Sequence, residues 1–184
     1  MPNPRQMFDH TLDAIKGWFH MAALDYTAKL SANVTVSTYA GRCVHLNSSG
    51  EFELGATGSQ MPIFLLQNAD DNDVINEGGT TWYPIGPTGT ITGLVGSGSY
   101  ELETTEFDSA QTYAPNQYLR CKSSSNSSTD GGLLTNDATV AAEAGSGNPT
   151  NIVGVVSRGV RKRQSDRNNV LAFWTVYKPG KNTY

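Results

Sequence analysis

Cysteine is scarce in this chain, and its scarcity excludes one common way of stabilising a fold. Only Cys43 and Cys121 occur among 184 residues, which is too few for a disulfide scaffold. Both lie in segments with a strand pattern, so we expect buried free thiols, with a disulfide or a metal site as the alternatives. A chain of this length can bury a sizeable core without cross-links.

Charge and long apolar runs are also in short supply. Charged residues make up 16% of the chain and the formal net charge is -4, which gives no general reason to expect nucleic-acid binding. No segment approaches the roughly 20 apolar residues of a membrane helix. The N-terminus also lacks the continuous apolar region of a signal peptide. We therefore expect a protein that is made in the cytoplasm and binds neither nucleic acid nor a membrane.

The residue types that carry catalysis show no recognisable grouping. His10, His20 and His45 share no metal-ligand spacing, no serine lies in a G-x-S-x-G motif, and there is no P-loop. The acidic run at residues 70–77 does not match an EF-hand loop, because the glycine required at its sixth position is missing. We predict a protein that is not an enzyme, with no catalytic residue, no cofactor and no metal site.

Short β patterns dominate what remains. Hydrophobic residues make up 38% of the chain, and abundant Gly, Ser, Thr and Asn are typical of a loop-rich all-β protein. A first group of strand patterns, separated by turn residues, falls at residues 42–46, 51–54 and 62–66. A second group in similar order falls at residues 118–121, 132–135 and 151–156. These patterns predict a small β-barrel or β-sandwich built from two related β units, with chance similarity as the alternative.

Four further strands complete the β prediction. The Gly-rich insert at 77–98 contains strand patterns at residues 81–83 and 90–95, which we expect to pair with each other. Residues 100–107 alternate, and Glu101 and Glu103 fall on one side, which predicts a half-exposed strand with a solvated acidic face. Residues 170–177 form a strong strand pattern near the end of the chain. The β domain is predicted to span residues 39–184.

Residues 1–38 are predicted to be an N-terminal arm with a helical segment and a lead-in strand. Apolar residues recur three or four positions apart between residues 6 and 30, at Phe8, Leu12, Ile15, Phe19 and Ala22, with Trp18 beside them. A helix packed on its own barrel and an arm that docks on a neighbouring protein are both compatible with this spacing. An extended arm is a further alternative, because residues 33–39 already show a β-branched strand pattern.

Basic residues concentrate in one place, residues 157–169. Arg158, Arg161, Lys162, Arg163 and Arg167 occur there against a single acidic residue, Asp166. A solvated hairpin loop and a contact with an acidic partner surface both explain such a segment. Nucleic acid ranks below them, because no aromatic residue is interleaved with the basic ones.

The β units resemble the small β-barrel modules of tailed-phage head decoration (cement) proteins. In the first unit the resemblance rests on Tyr39-Ala-Gly-Arg-Cys-Val-His-Leu46, Gly50-Glu-Phe-Glu-Leu54 and Pro62-Ile-Phe-Leu-Leu66. In the second it rests on Tyr113-Ala-Pro115, Gly132-Leu-Leu-Thr135 and Ile152-Val-Gly-Val-Val-Ser-Arg-Gly159, followed by Leu171-Ala-Phe-Trp-Thr-Val-Tyr177. It covers roughly residues 39–177, and leaves out the N-terminal segment and the insert at 77–98.

The resemblance implies a structural virion protein on the outer surface of a capsid. Such a protein binds the major capsid protein, clamps neighbouring subunits and forms a homo-dimer or homo-trimer. The residues predicted to bind the capsid or a neighbouring subunit are Phe8, Leu12, Ile15, Trp18, Phe19, Arg158, Arg161 and Arg163. One alternative is a β-sandwich carbohydrate-binding module of a fibre or surface protein, with Trp82, Tyr83 and Tyr100 as its ligand-binding residues. Another is a hydrolase with a site in the Gly-rich insert.

Overall fold

The structure, a computed structural model, describes residues 12–16, 25–56, 60–66, 68, 75–77, 80–82, 90–95, 101–122, 128–137, 152–164 and 166–178. Over these ranges the chain forms thirteen β-strands and no helix, which confirms the prediction of an all-β fold. The strands are β1 (Leu12–Lys16), β2 (Asp25–Lys29), β3 (Cys43–Leu46), β4 (Phe52–Leu54), β5 (Ile63–Leu65), β6 (Ile75–Glu77), β7 (Thr80–Trp82), β8 (Thr90–Val95), β9 (Glu101–Thr104), β10 (Tyr118–Cys121), β11 (Leu134–Thr135), β12 (Ile152–Lys162) and β13 (Asn169–Lys178).

Two sheets hold most of these strands. One has six strands in the order β1-β9-β13-β12-β10-β11, and the other has five in the order β2-β8-β5-β3-β4. The strands β6 and β7 form a separate two-stranded sheet. All strand pairs within the three sheets are antiparallel.

The five-stranded sheet curls until its two edges meet. A bridge joins Leu30, just after β2, to Phe52 in β4, and the backbone N–H of Ser31 donates to the Phe52 carbonyl at 2.9 Å. The side chains enclosed by this curl form a barrel core that includes Val44, Phe52 and Ile63. Closure of this kind covers sheet edges that would otherwise be open to pairing with other chains.

The two large sheets pack face to face around a second apolar cluster, the inter-sheet core. Phe64 of the five-stranded sheet meets Phe173 of the six-stranded sheet, with ring centroids 5.3 Å apart. Along β5, Phe64 points into the inter-sheet core, whereas Ile63 and Leu65 point into the barrel core. The continuous apolar run at residues 62–66 therefore belongs to a strand that is buried on both faces.

Both cysteines are buried free thiols in the inter-sheet core, as predicted. Each belongs to the first strand of its β unit. In the first unit β3 lies between β4 and β5, and in the second β10 lies between β11 and β12, so the two units share one strand order. A common origin of the units stays a prediction.

The structure corrects two predictions for the N-terminal segment. The helical spacing is misleading, because residues Leu12–Lys16 and Asp25–Lys29 are strands, paired with β9 and β8. The lead-in strand at residues 33–39 is also wrong, since the chain there makes turns and bends. Val34 and Val36 lie in this irregular segment, and both are partly buried against the barrel core. This packing explains why the segment carries apolar residues.

A third correction concerns the Gly-rich insert. The strands β7 and β8 do not pair with each other: β7 pairs with β6, and β8 lies between β2 and β5. At Gly93 in β8, an added Cβ would stand 2.4 Å from a side-chain carbon of Ile63, so the barrel core has no space for a side chain there. Gly93 is therefore needed for packing inside the barrel core.

Candidate functional site

The face of the six-stranded sheet that points away from the five-stranded sheet carries exposed aromatic residues. We call it the outer face. Strand register places Tyr118 opposite Val155, Val155 opposite Trp174, and Trp174 opposite Glu101. Directly paired residues in antiparallel strands project to the same side of a sheet. The next row, which contains Val156, Phe173 and Leu102, points into the inter-sheet core, so the row with Trp174 points outward.

Tyr118, Val155 and Trp174 form what we call the aromatic row. Tyr118 is 57% exposed and Trp174 is 37% exposed, with the half-buried Val155 between them. Two strand spacings separate the aromatic residues, which puts their attachment points roughly 10 Å apart. Buried aromatic side chains supply large contact areas in interfaces, and these two are available on one face.

A group of arginines borders the aromatic row. Arg158 binds Glu101 at 3.1 Å, Arg161 binds Glu103, and Arg163 binds the other oxygen of Glu103 at 3.2 Å. We call Arg158, Arg161 and Arg163 the arginine cluster. The predicted solvated acidic face is wrong, because Glu101 and Glu103 are buried beneath these arginines. Burial of a carboxylate requires a charged or hydrogen-bonding partner, and the arginines of β12 provide it.

Strand register explains how arginines of β12 reach carboxylates of β9 across the intervening β13. Arg158 lies opposite Ala172, and Ala172 lies opposite Glu103. The small side chain of Ala172 leaves room for long side chains to cross β13. Two register shifts in β12, between residues 156 and 158 and between 158 and 161, break the strict alternation of the strand. Arg158 and Arg161 can therefore both reach the outer face although they are three residues apart.

A tight turn joins β12 to β13. The backbone N–H of Arg163 donates to the Asn168 carbonyl at 2.8 Å, and Arg167 adopts a left-handed backbone with φ of 61°. The Asn168 backbone N–H, followed by the guanidinium of Arg163, holds the pKa of Asp166 below its ordinary value. A hairpin is present, but the predicted solvated loop at residues 157–169 is wrong in extent, because Arg158 and Arg161 lie in β12 and Arg163 is buried.

A second set of ion pairs lies in the segments that flank β3, β9 and β10. Arg42, just before β3, binds Glu106 at 2.8 Å and donates to the Gly131 carbonyl at 3.1 Å, and both side chains are buried. Lys122 binds Asp108 at 2.9 Å and Asp130 at 3.0 Å. Burial lowers the pKa of Lys122, but its hydrogen bonds and attraction to Asp108 and Asp130 outweigh burial and raise it. The pair of Arg42 and Glu106 joins the two sheets, whereas Lys122 connects the segments that follow β9 and β10 in the six-stranded sheet.

The structure brings together only part of the predicted docking set. The arginine cluster is one group, and Leu12 and Ile15 lie in β1 next to β9. Phe8, Trp18 and Phe19 lie outside the described residues, as do Tyr83 and Tyr100 of the carbohydrate alternative. Trp82 lies in β7, in the two-stranded sheet that is not hydrogen-bonded to either large sheet.

The aromatic row was missed at the level of sequence, although a signal for it exists. Phe173 and Trp174 are adjacent in a strand, so they must point to opposite faces. Phe173 fills the inter-sheet core, which leaves Trp174 outside. The alternation of residues 170–177 contained this information, but the inner and outer sides could not be told apart before the sheets were known.

Metal-ligating residues do not cluster in the part of the chain that the structure covers. No group of three or more His, Cys, Asp or Glu side chains there is placed to hold a metal ion. His45 sits within hydrogen-bonding distance of the Gly55 carbonyl, at 2.8 Å, and its other ring nitrogen is 4.0 Å from Glu53. Among the same residues no helix is long and apolar enough to span a membrane.

Comparison of the chain with protein-family models, with curated proteins and with solved structures gave no match. The outer face is therefore chosen as the candidate site for its exposed aromatic row and its arginine cluster alone.

Proposed function

We propose that this chain is a structural virion protein that binds the outer surface of an assembled phage capsid and clamps neighbouring major capsid protein subunits. The observation that carries the proposal is the outer face, where Tyr118 and Trp174 stand exposed beside the arginine cluster. Tyr, Trp and Arg are the residue types that dominate binding energy in protein interfaces. The resemblance of the β units to phage decoration proteins supports the choice of a capsid as the partner.

The position of the aromatic row within the sheet suits a docking surface. Its residues come from β10, β12 and β13, and each of these strands is hydrogen-bonded on both sides. A surface fixed in this way loses little conformational freedom when a partner binds. The binding free energy of the contacts is then available for holding the partner.

Stabilisation of the capsid would follow from mass action. A protein that binds assembled subunits and not free ones shifts the equilibrium toward the assembled lattice. A homo-dimer or homo-trimer of the chain would bind several lattice sites at once, and this avidity adds to the affinity of each site.

The experiment is co-sedimentation with capsids assembled from the major capsid protein of the same phage. We expect the wild-type protein to sediment with capsids at a fixed ratio to the capsid subunit. Trp174→Ala should weaken binding at least about thirtyfold, the loss typical of a hot-spot residue. Met61→Ala is the control, because Met61 is also an exposed large apolar residue but precedes β5 in the other sheet. A wild-type protein that stays in the supernatant would refute the proposal.

The aromatic row also favours the second candidate, a carbohydrate-binding module. Exposed aromatic rings on one sheet face can stack on sugar rings, and Tyr118 and Trp174 would replace the residues first suggested for that role. This alternative predicts binding of the isolated protein to a glycan array, lost in Trp174→Ala, with no capsid present.

A further inference from the structure

The β12–β13 hairpin, which carries the arginine cluster of the outer face, differs in charge from the chain as a whole. Five cationic residues lie at or near the β12–β13 hairpin, against three carboxylates that contact them, which leaves a local net charge of +2 on a chain of net charge -4. The cations are Arg158, Arg161, Lys162, Arg163 and Arg167, and the carboxylates are Glu101, Glu103 and Asp166. A basic hairpin on an acidic protein orients the end of the outer face that it carries toward an acidic partner.

The three arginines of the cluster are not equally available to a partner. Arg163 is buried, and it binds both Glu103 and Asp166. The side chains of Arg158 and Arg161 are 45% and 38% exposed, and each makes one ion pair with a described residue, through a single terminal nitrogen. A guanidinium carries five N–H donors, so both arginines retain donors for a second carboxylate.

The carboxylates beneath the arginines fix where those donors lie. Glu101 and Glu103 are themselves buried, in a strand paired on both sides, so they cannot move without disturbing the sheet. An arginine that binds such a carboxylate has lost part of its rotamer freedom before a partner binds. The arrangement therefore resembles a binding surface more than a solvated ion pair.

We propose, on the basis of the function proposed above, that the outer face is specific for an acidic protein surface, with Arg158 and Arg161 binding carboxylates of the partner and Glu101 and Glu103 acting as positioning residues. The aromatic row packs against the apolar part of the same partner surface. Nucleic acid fits less well, because buried carboxylates already offset much of the positive charge of this face.

The first test is the affinity for assembled capsids as a function of salt. Arg161→Gln should weaken binding about tenfold at low salt, and less at high salt, where charges are screened. Lys29→Gln, which removes the same charge from an exposed position in β2, is the matched control and should bind like the wild type. Arg158→Gln gives a second, independent variant, and circular dichroism establishes that each variant is folded.

The variant Glu103→Gln distinguishes a role of Glu103 in positioning the arginines from the effect of its negative charge alone. It makes the face more positive, so a charge effect alone would strengthen binding to an acidic surface. Positioning predicts the opposite, a loss of about tenfold in a variant that is still folded, because Arg161 and Arg163 lose their anchor. Unchanged or tighter binding by Glu103→Gln would overturn the positioning role.

The outcomes also distinguish this inference from the function on which it rests. If the wild type does not bind capsids at any salt concentration, the capsid proposal fails. If it binds, but without salt dependence and with Arg161→Gln equal to Lys29→Gln, the acidic-partner inference fails and docking stands. Arginine-dependent binding to duplex DNA, tested with the same variants, would also overturn the inference.

Discussion

At the scale of single residues, Cys43 shows how burial controls chemistry in the inter-sheet core. Burial raises the pKa of its thiol well above the ordinary value, and the hydrogen bond and charge interaction with Cys121 raise it further. The folded protein therefore keeps this proton at a pH where the unfolded chain has lost it. Stability contributed by the thiol is fully present below the ordinary thiol pKa of about 8.5 and is lost as the pH rises above it.

The expected result is a fall in the free energy of unfolding between about pH 8.5 and 10, by up to about 1.4 kcal/mol per pH unit. Urea denaturation at several pH values measures it. Cys43→Ala is the control and should show a shallower slope, because it lacks the titrating thiol. The range ends near pH 10, since burial also raises the pKa of Tyr113, which would add to the loss at higher pH. Equal slopes for the two proteins would contradict the assignment.

Gly132 lies where the turn before β11 approaches the backbone of Cys43 in β3. It has a left-handed φ of 77°, and an added Cβ would stand 2.4 Å from the carbonyl oxygen of Cys43. Gly50 has nearly the same φ, 76°, with nothing within 4 Å of an added Cβ. We expect Gly50→Ala to cost roughly 1–3 kcal/mol for its backbone conformation and Gly132→Ala to cost about 1–3 kcal/mol more for the clash. Chemical denaturation compares them, and equal losses would show that the turn can move away from β3.

At the scale of elements, the junction between the sheets depends on a buried ion pair. Arg42→Ala would leave Glu106 buried without its partner, and we expect a loss of about 3–5 kcal/mol in the free energy of unfolding. Asp130→Asn breaks the ion pair between Lys122 and the exposed Asp130, and should cost at most about 1 kcal/mol. Urea denaturation measures both variants. Similar losses would mean that Arg42 is not needed to join the sheets.

Strands whose own residues alternate or form a short apolar run were predictable, and β1, whose apolar residues have helical spacing, was not. The strands β3, β4 and β5 follow each other with turn residues between them, so alternation and turn chemistry located all three. The segment of β1 has a helical apolar spacing, and only its pairing with β9, far along the chain, makes it a strand. Local propensity contains no information about that partner.

The candidate site was only partly predictable for the same reason. The basic residues were visible in the sequence, but Glu101 and Glu103 were predicted to be solvent-exposed because nothing local showed that arginines reach them across β13. The chemistry of the face is created by register across three strands. A single sequence shows each strand separately and not the row that crosses them.

At the scale of the whole molecule, the N-terminal segment contributes strands to both large sheets. Deleting residues 1–30 would remove β1 and β2, together with the Leu30 bridge that closes the five-stranded sheet. We expect a loss on the order of 5 kcal/mol, comparable to the stability of a whole small domain. Deleting residues 1–11 removes no described strand and should cost much less. Thermal and urea denaturation compare the two, and an arm that serves only to dock would leave both unchanged.

The pairing of Leu12 with Thr104 has a consequence for the protein during its synthesis. The ribosome must add about 90 residues after β1 has been made before its partner strand exists. At roughly 5–20 residues per second, β1 waits about 5–20 s without a partner, longer than most small domains take to fold. For that interval β1 has no partner strand from its own chain, and its open edge is available to nascent chains beside it.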